Sequence, residues 1–170
     1  LKPSPIILGL WPIAGITTVD ATPEHSRATI MAAIDCGINT FDSAFSYGYD
    51  GESDRLLAEV IGDRRCSMFI ISKVGQRWNA QRQRVVDAKP ETMKRDLDTV
   101  LQRLGTDYLD LLMLHSVDPK VDIRECAQAL QSFREQGLVK QIGVCNVTPS
   151  QLNEFTQIVR PDAVQIPLNL

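Results

Sequence analysis

Short apolar runs alternate along the chain with longer stretches in which apolar positions recur every three or four residues. The runs at 5–10 (PIILGL), 38–41 (INTF), 67–72 (SMFIIS), 108–114 (YLDLLML), 140–145 (KQIGVC) and 163–166 (AVQI) predict six strands. The stretches between them predict helices, each with its own start and stop. Thr22-Pro23 supplies an N-cap and a first-turn proline; Ile30, Ala33 and Ile34 form an apolar face, and Gly37 ends the element. Glu52 to Ile61 carries Leu56, Leu57, Val60 and Ile61 and stops at Gly62. Pro90 opens the longest pattern, with Met93, Leu97, Val100, Leu101 and Leu104 on one side and Gly105 after it. Residues 122–136 form a fourth helix, closed by Gly137, and Thr148-Pro149 opens a fifth lined by Leu152, Phe155 and Val159.

The resulting order is βαβαβαβαβαβ. Parallel strands require crossover connections, so this alternation predicts a parallel sheet. Two architectures satisfy it, a doubly wound open sheet and a (β/α)8 barrel. An open nucleotide-binding sheet carries a glycine-rich phosphate turn after its first strand, whereas Gly9-Leu10-Trp11-Pro12-Ile13-Ala14-Gly15 is neither GxGxxG nor a P-loop. Asp42, Lys73, His115, Asn146 and Gln165 all fall at or just past strand C-terminal ends, the face on which barrels assemble their sites. The predicted fold is therefore α/β, a parallel (β/α)8 TIM-barrel type that is incomplete. Six strands fit in the 170 residues, strands seven and eight are absent, and a full barrel takes ~250 residues. Residues 1–170 are expected to form one partial barrel domain.

Composition narrows the function classes. The chain is 44% hydrophobic and 23% charged, and 18 basic against 21 acidic residues leave a net charge of −3. No basic excess points to nucleic acid or an anionic membrane surface as a partner. No apolar run approaches the ~18–20 residues that span a bilayer, and no secretory leader is recognisable, so a cytoplasmic location is expected. Cys36, Cys66, Cys126 and Cys145 form no CxxC, and neither His25 nor His115 joins them, so no metal site is expected and the thiols are read as free and mostly buried. Asn146-Val147-Thr148 has the form of a glycosylation sequon, but Thr148 is better explained as an N-cap. His25 falls in a first helical turn and is expected to be solvated. The basic run Arg77 to Arg84 admits a phosphate-binding reading; a solvated loop over 75–88, bordering a substrate pocket, fits the acidic total better. Trp11 and Trp78 are candidate walls of that pocket, with simple packing as the alternative.

Four polar side chains carry the candidate chemistry. Asp42, Tyr47, Lys73 and His115 come from neighbouring strand ends and the loop after the second strand. Together they suit proton delivery to a carbonyl oxygen. An unperturbed tyrosine, with a pKa of ~10, exchanges protons poorly at neutral pH. A nearby lysine ammonium favours the phenolate and lowers that value. A carboxylate keeps the lysine charged and placed, and a histidine can orient the carbonyl oxygen. No side chain donates a hydride, so a reduction needs a cofactor.

In these segments the sequence resembles the aldo-keto reductases. The stretch Gly37-Ile38-Asn39-Thr40-Phe41-Asp42-Ser43-Ala44-Phe45-Ser46-Tyr47-Gly48, followed by Glu52, is similar to that family's signature around its aspartate and tyrosine. Ile71-Ser72-Lys73-Val74 resembles the segment carrying its lysine, and Leu104-Gly105-Thr106-Asp107-Tyr108-Leu109-Asp110 through His115 resembles the segment leading to its histidine. Gly137 through Gly143-Val144-Cys145-Asn146 is similar to the fifth-strand motif, and Gln165 with Asn169 to the start of the sixth.

The resemblance covers residues from about Gly9 to Leu170 and implies a role for each position. Tyr47 is the implied general acid, Lys73 its partner, Asp42 the lysine's counter-ion and a neighbour of the cofactor, and His115 the carbonyl-orienting group. Asn146 and Gln165 are implied to hold the nicotinamide carboxamide, with Cys145 standing where the family commonly has serine. The implied cofactor is NADPH rather than NADH, and the implied substrates are small aldehydes and ketones. Two other classes remain open: a non-catalytic regulatory or binding protein on the same fold, and an inactive fragment. The co-occurrence of all four polar residues argues against the first of these.

Overall fold

The computed structural model describes residues 1–167. Asn169, matched above to the sixth-strand motif, lies outside the described residues. In chain order the elements are β1 (Leu8–Gly9), α1 (Pro23–Asp35), β2 (Thr40–Asp42), α2 (Glu52–Ile61), β3 (Phe69–Val74), β4 (Gln76–Trp78), β5 (Arg84–Val86), α3 (Pro90–Leu104), β6 (Leu109–Leu114), α4 (Ile123–Glu135), β7 (Val139–Cys145), α5 (Pro149–Thr156) and β8 (Ala163–Gln165). Six strands pair in parallel in the order β1-β2-β3-β6-β7-β8. The sheet curls as an incomplete TIM barrel, as the alternation of strand and helix predicts.

Alternation along the strands divides the interior in two. Phe41, Ile70, Leu112, Leu114, Ile142 and Val144 join the cluster shared with Ile30, Leu57, Met93, Leu97, Leu130 and Phe155 of the helices. The opposite face carries a smaller cluster of Phe69, Ile71, Leu111, Met113 and Cys145. Lys73 follows Ile71 at the same parity, so an ionisable group enters the barrel interior above a layer of apolar residues. Gly143 allows the tight curl at β7: a Cβ there would lie 2.7 Å from the Ala163 carbonyl oxygen and 2.8 Å from the Met113 methyl.

The helix signals act as read. The Thr22 side chain accepts from the His25 amide, and Thr148 forms a complete capping box with Gln151. Gly105 closes α3 in the left-handed conformation. His25 is exposed, as expected of a first-turn residue. Among the described residues no helix is long and apolar enough to cross a membrane.

Three expectations are corrected. The first strand is only Leu8–Gly9 rather than 5–10, because the preceding segment bonds sideways instead: the Ser4 amide donates to Asn39 Oδ1 and Thr40 Oγ1 at 2.8 and 2.9 Å. The stretch 75–88 is largely solvent-accessible, as read, but it is not a loop throughout: it holds an antiparallel hairpin, β4 against β5. Its turn is organised by Asn79, whose Oδ1 accepts the Gln81 and Gln83 amides. The thiols are free, yet only Cys126 and Cys145 are buried; Cys36 at the end of α1 and Cys66 before β3 are exposed.

Candidate active site

The parallel register sets the first pair. Asp42 is level with Ile71, so Lys73, two residues further along β3, rises past the end of β2 and turns its ammonium back to the carboxylate. The Lys73 side chain is 2% exposed. Its three donors have three acceptors: Asp42 Oδ1, the Ser43 carbonyl oxygen at 3.0 Å and the Tyr47 hydroxyl at 3.3 Å. Burial alone pulls a lysine towards neutrality, but the charge and hydrogen bond of Asp42, together with Tyr47, outweigh it and hold Lys73 above its ordinary value. The second carboxylate oxygen of Asp42 accepts from Gln165 Nε2 at 3.0 Å, a contact across 123 positions of sequence that joins β8 to β2 over the barrel interior.

Tyr47 is held by its turn and by its ring. Its amide donates to the Ala44 carbonyl, its own carbonyl accepts from Ser53 Oγ, and Gly48 follows in the left-handed region where a Cβ would strike Glu52. The ring meets Trp11 edge-on at 5.3 Å and His115 at 5.9 Å. His115 follows β6, and its amide donates to the Val74 carbonyl. Burial, and then the positive charges of Lys73 and Arg84, push its pKa down to about 3, so the ring is neutral at physiological pH. Its Nδ1 is buried without a hydrogen-bond partner among the described residues. Tyr47, Lys73 and His115 border a cavity of about 290 Å³ that is also lined by Cys145, Asn146 and Gln165, whereas Trp11 and Trp78, the candidate walls, are not among its lining residues.

The residues implied to hold a carboxamide converge on that cavity and are bonded to its other walls. Asn146, in the left-handed conformation at φ 56°, donates from Nδ2 to the His115 carbonyl at 3.0 Å. Gln165 Oε1 faces the Cys145 thiol at 3.4 Å. Burial pushes that thiol up to about 12, so it stays protonated and acts as a donor. Trp78 donates from Nε1 to the Ser46 carbonyl at 2.9 Å, which pins the hairpin to the loop bearing Tyr47.

Two contributors lie outside the four polar residues read from sequence: Asp54, which was not singled out, and Arg84, which was read only as part of a basic run. Asp54 on α2 is fully buried; its Oδ1 accepts from Ser43 Oγ at 2.5 Å, and Ser43 also supplies the carbonyl that binds Lys73. Burial raises the Asp54 pKa to about 7 against the lowering effects of Ser43 and Arg103. Arg84 of β5 places its guanidinium 4.7 Å from the Trp11 ring and 5.1 Å from the Trp78 ring. The adjacent β-branched pair Val85-Val86 carried a strand signal that the surrounding charges masked.

Chemically, a charged lysine fixed by a carboxylate and touching a phenol, beside a neutral imidazole, is an arrangement able to give a proton to a polarised oxygen. Residues 5–170 match the Aldo/keto reductase family. The chain belongs to that family. This aldo/keto reductase chain is 31% identical to the aldo-keto reductase YhdN of Bacillus subtilis (strain 168), over all of the chain and 51% of the relative. It is 30% identical to the NADH-specific methylglyoxal reductase of Escherichia coli (strain K12), over 93% of the chain and 53% of the relative. Among solved structures, the glycerol dehydrogenase AKR11B4 from Gluconobacter oxydans superposes with a TM-score of 0.91 at 28% identity, covering 99% of the chain and 53% of its own length. The chain thus spans about half the length of the curated relatives it matches.

Proposed function

We propose that this aldo/keto reductase chain contributes the proton-donating half of a site that reduces a small aldehyde or ketone to an alcohol. The observation that carries the reading is the saturated ammonium of Lys73, shared between Asp42, the Ser43 carbonyl and the Tyr47 hydroxyl. Tyr47 donates its proton to the carbonyl oxygen, and Lys73 stabilises the phenolate that remains. Asp42 holds Lys73 charged throughout. The neutral His115 gives one N–H to the same oxygen and fixes the approach of the carbonyl.

A nicotinamide cofactor, when bound, supplies the hydride. The cavity fits its reactive end: the amides of Asn146 and Gln165 offer both donors and acceptors to a carboxamide, and the Cys145 thiol adds a donor beside them. NADPH is our first choice, with NADH the alternative; the kinship with an NADH-specific reductase keeps that alternative in view. Four free thiols suit a reducing compartment, and we place the protein in the cytoplasm.

The test is Tyr47→Phe in the protein extended through the remainder of a barrel of this family. Loss of a general acid lowers turnover ~10²–10⁴-fold, while cofactor binding survives because the ring is retained. A variant that keeps a third or more of wild-type kcat removes Tyr47 from the mechanism.

A further inference from the structure

The hairpin β4–β5 carries two arginines that the proposed reduction does not use. Arg84 is stacked against both indoles, at 4.7 Å from Trp11 and 5.1 Å from Trp78. Arg82, in the turn, lies 4.6 Å over Tyr49, which in turn meets Trp78 edge-on at 5.0 Å. Arg77 of the same hairpin is tied to the buried carboxylate of Asp96. Arg82 and Arg84, by contrast, have no ion pair and no side-chain hydrogen bond among the described residues. A cation stacked on aromatic rings uses the flat face of the guanidinium, and its N–H donors radiate in the plane, free to take a carboxylate in the two-pronged manner.

The position of Arg84 is what makes this useful. Trp11 is in contact with both Tyr47, at 5.3 Å between ring centroids, and Arg84, at 4.7 Å, so one indole links the guanidinium to the phenol. Asp42 compensates the charge of Lys73, whereas nothing among the described residues compensates Arg84. The amides suited to a nicotinamide, Asn146 and Gln165, belong to the β7–β8 side of the cavity, while Arg84 stands on the hairpin that follows β3. We propose that Arg84 is an anion-binding, specificity-determining residue that stands outside the lining of the Tyr47 cavity and is linked to Tyr47 through Trp11. It selects carbonyl compounds that carry a carboxylate at the end remote from the reacting carbonyl, with the Trp11 and Trp78 indoles flanking the chain between. This rests on reading Tyr47 as the group that meets the carbonyl. Arg82 adds positive potential further out and draws the same anions in.

The chain's two tryptophans are both in contact with Arg84, so its own fluorescence reports occupancy. The probes are 5-oxopentanoate, its neutral methyl ester and NADPH, each titrated into the wild-type chain and into Arg84→Gln and Arg84→Lys. The acid binds roughly tenfold tighter than the ester, and added salt erodes the difference. Arg84→Gln abolishes the preference, Arg84→Lys retains most of it, and both variants melt with the wild type, because an exposed side chain is being changed. The same response to acid and ester, or none to either, overturns the proposal. So does an Arg84→Gln variant that keeps the preference, or one whose loss of preference comes with loss of NADPH binding. The measurement needs no hydride transfer. Acid preference in the chain together with no reduction by the protein extended through the remainder of a barrel counts for the anion site and against the reductase reading.

Discussion

Lys73 shows how much of the site depends on one buried charge. Its ammonium is enclosed by three acceptors, and its removal leaves Asp42 bonded to Gln165 alone. Lys73→Met should therefore unfold more easily than wild type by ~3–5 kcal/mol, as one-sided removals from buried ion pairs do, and Lys73→Met with Asp42→Asn should recover much of that loss in a denaturant titration. His115 makes a pH prediction of defined sign. Its folded pKa, about 3, lies below the ordinary histidine value of 6.5, so the unfolded chain takes up the proton first as pH falls. The stability it allows is complete above that ordinary value and is lost as pH drops towards the folded one. His115→Gln should lose less stability than wild type between pH 7 and pH 4, by about 3 kcal/mol; parallel unfolding curves for the two proteins at both pH values would refute the assignment. All four of Asp42, Tyr47, Lys73 and His115 were legible in the sequence, because strand ends and residue types together point to one mouth. The amide of Gln165 was read towards a cofactor, and its bond to Asp42 was invisible because only the curl of the sheet brings positions 123 apart together.

The elements were legible wherever a periodic apolar pattern was bounded by a cap or a glycine. All five helices form with Pro23, Pro90, Thr148 and Gly105 acting as read. The failures have separate causes. The hairpin β4–β5 was hidden because its residues are basic and its burial is partial, so no period-2 apolar pattern marks it. On α2 the apolar spacing identified Leu57 and Ile61, but the same buried face also holds Ser53 and Asp54. A helix pattern alone does not say that a carboxylate one turn before Leu57 will be covered. That carboxylate has a folded pKa of about 7, raised from 3.8 chiefly by burial, so the folded state holds its proton where the unfolded chain has released it. Its contribution is most favourable at low pH and is lost as pH rises through the folded value. Asp54→Asn keeps an acceptor for Ser43 and removes this dependence. Relative to wild type it should gain on the order of 2–4 kcal/mol between pH 5 and pH 8, read as a growing difference in Tm.

At the scale of the whole molecule, the described sheet is an open curl whose outer strands β1 and β8 each pair on one side only. The apolar residues along them are exposed: Ile6 and Ile7 precede β1, Val164 lies within β8 at 44% exposure, and Ile166 follows it at 62%. None of them is charged, and uncharged exposed edges invite strand addition from other chains. Barrels of this class place phosphate recognition after strands seven and eight, whereas the residues proposed above to meet a cofactor, Asn146 and Gln165, would hold only its carboxamide end. Two consequences follow for the 170-residue chain expressed by itself. It should bind NADPH weakly, because the cofactor's charged end meets no matching strand-end loops, and it should associate in solution. Val164→Lys puts a charge on the β8 edge and should shift light scattering towards the monomer without altering the fold, since Val164 is solvent-facing and makes no part of the Lys73 cluster. Fluorescence titration with NADPH supplies the second measurement. Low-micromolar affinity from a wild-type chain that scatters as a monomer would show that the six-strand curl closes and recognises phosphate by a route these edges do not provide.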